Sequence, residues 1–247
     1  MRSAQEILRH AVDAHGGPEL WASVTSLRID VSIGGPALAL KGRSPRAQRV
    51  VADLDPRAVR ADLDLAEGGG RFRLVGRTVE RIDGAGHAQE SRTIPRHDDG
   101  RPRVRLAWDR LDVAFFLGYA IWNYALTPWL LTREGFEADA LEPASLRGRR
   151  CERVRVRFPT EVPTHSPVQD FWFGEDGRLA RLDYTAHALA SWARGAHEVD
   201  EYATFDGVLF PSRRRVWLRP FGGSRAVRVL PAVAGTVHDV VLTRGGE

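Results

Sequence analysis

Two Asp-Gly dipeptides separate runs of alternating residues, and Asp-Gly favours a two-residue hairpin turn that fixes which residues face each other. Around Asp206-Gly207, the expected opposite pairs are Phe205 and Val208, Ala203 and Phe210, Glu201 and Ser212, Val199 and Arg214, and His197 and Val216. That side is mostly apolar, yet it carries His197, Glu201 and Arg214. The other side pairs Asp200 with Arg213 and Glu198 with Arg215, opposite charges that mark it as the solvated face. A buried charge needs a partner, and Arg214 is diagonal to Glu201. These polar residues read either as a structural Glu–Arg pair at the rim of a cavity or as a polar anchor and acid–base group for a bound molecule.

Around Asp176-Gly177, Phe173 is expected opposite Ala180, Phe171 opposite Leu182 and Gln169 opposite Tyr184, giving an aromatic face. The reverse side brings Trp172 to Arg181 and Asp170 to Asp183. Facing carboxylates are unfavourable unless a cation neutralises one of them or one keeps its proton. Such pairs serve acid–base chemistry, whereas Arg181, diagonal to Asp170, offers an ordinary surface pairing. A joining turn near Ala190-Ser191 would set Tyr184 beside His197. The candidate catalytic residues are therefore His197, Glu201, Tyr184, Asp183 and Asp170. The candidate ligand contacts are Arg214, Phe171, Phe173, Phe205 and Phe210.

These residues need a frame. Residues 3–15 read as an amphipathic helix, with Ser3 and Glu6 as a capping box and Gly16-Gly17-Pro18 as its end. Short alternating segments follow at Ser26–Ile33, Ala37–Gly42, Gln48–Asp53, Ala58–Leu65, Arg71–Val75 and Thr78–Ile82, the pattern of consecutive antiparallel strands. His97–Pro102 reads as a polar loop. Val113 to Leu131 carries no charge and is apolar around its whole circumference, so it is buried on all sides or in a membrane. Asn123, Thr127 and Pro128 interrupt it, and β-rich sequence flanks it, which favours a helix buried inside a curved sheet and broken before Pro128. Trp122 and Asn123 are added as ligand contacts from this insert, taken as 107–132. Strands return at Cys151–Phe158, Ala226–Val229 and Thr236–Leu242.

With 247 residues, 43% of them hydrophobic and 28% charged, a substantial core is assured, and no linker divides the chain, so one domain is expected over 1–247. The net charge is +4, and arginine is spread along the whole length against 32 acids rather than gathered on one face, so no nucleic-acid partner is expected. Cys151 is the sole cysteine, which excludes an intrachain disulfide and a multi-cysteine metal site. No Gly-x-Ser-x-Gly accompanies His15-Gly16-Gly17, and neither Gly68-Gly69-Gly70 nor His197-Glu198 sits in a phosphate-loop or zinc-protease pattern, so no metal or cofactor is expected. The first residues run straight into a helical pattern without an apolar leader, from which a cytoplasmic location is expected, with peripheral membrane contact allowed but not integral insertion.

A helix ending in His15-Gly16-Gly17, then Leu20 to Ile29 entering a run of strands, then an apolar helical insert, form the first half of a recognisable order. Asp170-Phe171-Trp172-Phe173, Asp176-Gly177-Arg178-Leu179 and Asp206-Gly207-Val208-Leu209-Phe210-Pro211-Ser212-Arg213-Arg214 complete it. The order resembles bacterial lipoprotein carriers of the LolA/LolB type. The resemblance implies an incomplete antiparallel barrel folded over helices, with a hydrophobic cavity for acyl chains. Carriers of that type are periplasmic and made with a signal sequence, a departure that moves the expectation toward a cytoplasmic relative. The expected fold is mainly β (α+β): a curved antiparallel sheet wrapped around an apolar central helix. The expected function is binding of a lipophilic small molecule. The alternatives are a cofactor-independent isomerase or cyclase acting on that molecule, and an Arg-rich surface module for anionic membrane or nucleic acid.

Overall fold

Ser3 caps the first helix, α1 (Ala4–Ala14): the Glu6 amide donates to its hydroxyl oxygen, and the Glu6 carboxylate accepts from the Ser3 amide at 2.7 Å. Ile7, Leu8, Ala11 and Val12 form the buried stripe. Gly16, at φ 114°, turns the chain into a short helix, α2 (Gly17–Ser23). In this computed structural model, residues 2–66, 69–95, 107–220 and 225–245 are described.

The strands are β1 (Val24–Gly34), β2 (Gln48–Asp55), β3 (Arg60–Leu65), β4 (Gly70–Val75), β5 (Thr78–Ile82), β6 (Ala88–Thr93), β7 (Glu137–Leu146), β8 (Arg149–Arg157), β9 (Val168–Gly174), β10 (Leu179–Thr185), β11 (Arg194–Phe205), β12 (Val208–Leu218) and β13 (Val233–Arg244). They form one antiparallel 13-stranded sheet in the order β6-β5-β4-β3-β2-β1-β13-β12-β11-β10-β9-β8-β7. The last strand pairs with the first, so β1–β6 and β7–β12 become the two wings of one trough.

Strict alternation separates the two faces of the first wing. Ile29, Val31, Val50, Ala52, Leu63 and Leu74 are buried in the core. On the outer side, Arg28 donates to Asp53 at 2.7 Å, Arg49 to Asp30 at 2.9 Å and Arg73 to Asp62 at 2.8 Å. These cross-strand ion pairs keep that face in water and hold the register.

The charge-free stretch falls in a helix, α4 (Arg110–Leu126), and a single 3₁₀ turn that follows at Trp129–Thr132. Asp109 and Asp112 form its capping box, and Arg92 on β6 bonds both carboxylates. The helix lies across β2–β5, and Gly118 permits the approach: a Cβ there would stand 3.0 Å from Leu74 Cδ2 and 3.3 Å from Leu63 Cδ1. The break comes before Pro128, which has no N–H to extend the helix. Trp129 then stacks on Trp21 at 5.5 Å. Among the described residues, no helix is long and apolar enough to cross a membrane.

Two expectations about elements need correction, and one element was missed. The strand expected at Ala37–Gly42 is instead a helical turn, α3 (Pro36–Ala39), because Pro36 cannot donate to a ladder and favours the first helical position. Ala226–Val229 makes one isolated bridge, Val227 to Leu218, rather than a strand. The helix α2 was not foreseen. The loop expected at His97–Pro102 lies outside the described residues.

Candidate functional site

Because α4 covers only the β2–β5 side of the trough, the inner faces of β1 and β10–β13 are left facing its flank across a gap. That gap is a cavity of about 380 Å³. Ile29, Val31 and Ile33 supply one wall, Leu117, Ala120 and Ile121 of α4 another, and Phe210 and Val216 of β12 a third. Leu40, Trp192, Leu218 and Leu230 line the open end and are 61, 51, 47 and 65% exposed, which makes the rim apolar as well as the interior.

Apart from Arg194 near the rim, the polar side chains of this wall gather at one place. Tyr124 lies near the end of α4, His165 in the connection before β9, Tyr184 on β10, His197 on β11 and Arg214 on β12; all line the cavity. Cross-strand pairing sets Leu182 opposite His197 and Gly195 opposite Tyr184, so Tyr184 and His197 are diagonal neighbours on the inner face. Their rings are 6.3 Å apart. The His165 ring stacks on Tyr184 at 4.4 Å, and the Tyr124 ring meets His197 edge-on at 4.6 Å.

His165 joins two hydroxyls: Tyr119 Oη lies 3.0 Å from its Nδ1 and Tyr124 Oη 2.6 Å from its Nε2. A neutral imidazole has one N–H and one lone pair, so one hydroxyl donates to it and the other accepts. Burial holds the His165 imidazole down to about 3 and His197 well below its ordinary value. The same burial pushes the Tyr184 hydroxyl up to about 12 and those of Tyr119 and Tyr124 well above 10.0. These groups are all neutral at physiological pH. Arg214 is also depressed by burial, but a guanidinium does not lose its proton in a protein.

The structure brings His197, Tyr184, Arg214 and Phe210 to the cavity. Glu201 does not reach it, against expectation. The β11–β12 ladder is irregular between Val199 and Tyr202, so Glu201 pairs with Arg213 instead of Ser212. It turns outward, and Arg213 donates to it at 2.7 Å with both side chains in solvent. The same irregularity gives Asp200 to Arg215 at 2.7 Å rather than to Arg213. Glu198, expected in a surface pair, is buried on the outer side, bonded to Arg147 at 2.6 Å and to Arg228.

Asp170 and Asp183 face each other across β9 and β10 as expected, but on the side of the sheet away from the cavity. Each has its own cation. Arg155 makes two bonds to Asp170, at 2.7 and 2.9 Å, while Arg181 donates to Asp183 at 2.7 Å and Arg219 at 2.8 Å. Arg181 therefore serves Asp183, not Asp170. Burial raises the Asp183 carboxyl despite these partners.

The remaining expected contacts sit behind the wall. Phe171 and Phe173 are fully buried and stacked on each other at 6.4 Å, and Phe205 is half-buried against Phe210. Trp122 Nε1 donates to the Asp55 carbonyl at 2.8 Å. Asn123 donates to the carbonyls of Tyr119 and Pro163 at 2.7 and 2.8 Å. None of these five lines the cavity. Tyr119, Tyr124 and His165 were not foreseen. The two tyrosines were visible as hydroxyls within the charge-free stretch Val113 to Leu131; His165, on an irregular connection, had no periodic signal.

The trough-and-helix arrangement is shared with solved structures. A LolA superfamily protein from Nitrosomonas europaea superposes with a TM-score of 0.57 at 10% identity, covering 100% of this chain and 96% of the other. A domain assigned to outer membrane lipoprotein sorting from Vibrio parahaemolyticus gives 0.54 at 10% identity over 99% and 94%. A DUF1329 family protein from Desulfovibrio piger gives 0.52 at 11% identity over 100% and 96%. No protein-family profile matches the sequence. No curated protein matches it either. The likeness is therefore one of fold, a LolA-like open barrel.

Proposed function

We propose that the chain binds a lipophilic small molecule, acyl-chain or lipid-like, in the cavity between α4 and strands β1 and β10–β13. One observation carries this reading: a void of about 380 Å³ bounded almost wholly by aliphatic and aromatic side chains and open through an apolar rim. That volume lies within the range of small-molecule sites, and transfer of apolar surface from water drives such a guest inward. The rim residues Leu40, Trp192, Leu218 and Leu230 give it a largely apolar entrance, with Arg194 the charged side chain nearest to it.

Holding the guest is favoured over converting it. Acid–base chemistry would fall to buried neutral tyrosines and histidines with no carboxylate beside them, because Glu201 is in solvent and Asp170 and Asp183 are on the opposite face. The test is titration of the full chain with Nile red, beside the variant Ala120→Phe, whose ring would stand in the cavity. Saturable fluorescence enhancement in the unaltered chain and its loss in a folded Ala120→Phe chain are expected. Equal enhancement in both chains would place the dye elsewhere and overturn the reading.

A further inference from the structure

Arg214 is set into the wall of this cavity and is 9% exposed. Among the described residues lining the cavity there is no carboxylate. The guanidinium donates through Nε to the Pro211 carbonyl at 3.4 Å and through Nη2 to the Tyr124 carbonyl at 3.2 Å, and it lies over the Tyr124 ring at 5.2 Å. Nη1 has no hydrogen-bond partner among the described residues.

These contacts compensate a full charge only in part. Tyr124 belongs to the last turn of α4, and the end of a helix carries about half an elementary negative charge. The remaining positive charge faces a space of low polarity, where it attracts an anion far more strongly than it would in water. His197 shares the Arg214 side of the cavity, and its Nδ1 has no partner among the described residues.

We propose that this wall is a head-group site for a single-chain amphiphilic carboxylate, with the carboxylate on Arg214 and the tail directed to the rim. The proposal rests on the lipophilic-cavity reading and names the class of guest. Charge sign selects an anion. The volume, near the lower end of the range for ligand cavities, suits one chain rather than the two of a phospholipid. Direction follows from β12: Arg214 is four residues from Leu218 at the rim, roughly 13 Å at about 3.3 Å per residue. The wall between them is Val216, so a tail leaving Arg214 meets only apolar surface on this strand.

The experiment compares dodecanoate, methyl dodecanoate and 1-dodecanol as competitors of Nile red on the full chain at pH 8. Dodecanoate is expected to displace the dye at a concentration at least about tenfold lower than the ester or the alcohol, a difference of about 1.4 kcal/mol. Arg214→Met is expected to bring dodecanoate to the level of the alcohol and to leave the alcohol unchanged. Equal displacement by acid, ester and alcohol in the unaltered chain overturns the head-group site while the cavity reading stands. Failure of the chain to take up Nile red or any of the three overturns both. The comparison of the three competitors needs no variant, so it decides even if Arg214→Met does not fold.

Discussion

The guanidinium of Arg214 on β12 lies over the ring of Tyr124 on α4 and donates to that residue's main-chain carbonyl at 3.2 Å. One side chain thus ties the central helix to the far wing of the sheet and places a cation at the helix C-terminus. Two opposite effects follow from removing it. The helix end loses an interaction worth about 0.3–2 kcal/mol, and the fold is relieved of a desolvated charge without a carboxylate partner, which costs several kcal/mol to bury. Arg214→Met is therefore expected to change unfolding stability by less than about 2 kcal/mol in either direction, measured by urea denaturation. A loss far above this would mean that the arginine is chiefly a structural tie and would weaken its assignment to a ligand.

His165 gives the protein a defined acid sensitivity. Its folded value is held down to about 3, against 6.5 when unperturbed. Below 6.5 the unfolded chain takes up a proton that the folded chain refuses, so stability is complete above that value and falls as the pH drops toward 3. His165 alone contributes a loss on the order of 2 kcal/mol between pH 7 and pH 5. His197, also lowered well below 6.5 by burial, adds a loss of the same sign. Chemical denaturation at pH 7, 6 and 5 should show this slope, and His165→Gln should flatten it. A stability independent of pH over that interval would contradict the buried, neutral state of the imidazole.

Asp183 separates fold from site. Arg181 and Asp183 are both 4% exposed, and Arg219 reaches the same carboxylate. Asp183→Asn removes the charge that both guanidinium groups need, and breaking a buried pair in this way costs about 3–5 kcal/mol. Because the pair lies on the face away from the cavity, Nile red affinity of the folded variant should match that of the unaltered chain. A weakened affinity with unchanged stability would return Asp183 to the site.

Regular elements were legible because alternation and turn chemistry act locally. The Asp176-Gly177 turn placed Asp170 opposite Asp183 and Phe171 opposite Leu182 from counting alone. Counting failed at Glu201, where two register shifts in the ladder, one on each side of it, turned the side chain from the inner face to solvent. It also could not reach His165, whose position depends on a connection packing back onto α4 rather than on any period. Pro36 misled for a different reason: alternating residues after it look like a strand, while the missing N–H favours a helical turn. The cavity itself was implied by the surplus of apolar surface on the central helix. Which residues line it was decided by α4 lying toward β2–β5 and standing off from β1 and β10–β13, a choice made by tertiary packing.

That choice depends on Gly118. A Cβ at this position would lie 3.0 Å from Leu74 Cδ2, 3.3 Å from Leu63 Cδ1 and 3.4 Å from Leu74 Cβ. Leucine side-chain ends can shift by a few tenths of an ångström, and alanine is favoured over glycine inside a helix by about 1 kcal/mol. Gly118→Ala should therefore be close to neutral, the gain in helix propensity offsetting the squeeze. Gly118→Val adds two methyl groups beyond the alanine Cβ against β3 and β4, and overpacking of this kind costs about 1–3 kcal/mol. It should also push α4 away from β3–β4 and into the cavity lined by Leu117, Ala120 and Ile121, narrowing it. The expected outcome is a loss of both stability and Nile red affinity in Gly118→Val, with Gly118→Ala retaining both. If Gly118→Val is destabilised but binds the dye as before, the position of the helix does not set the size of the cavity.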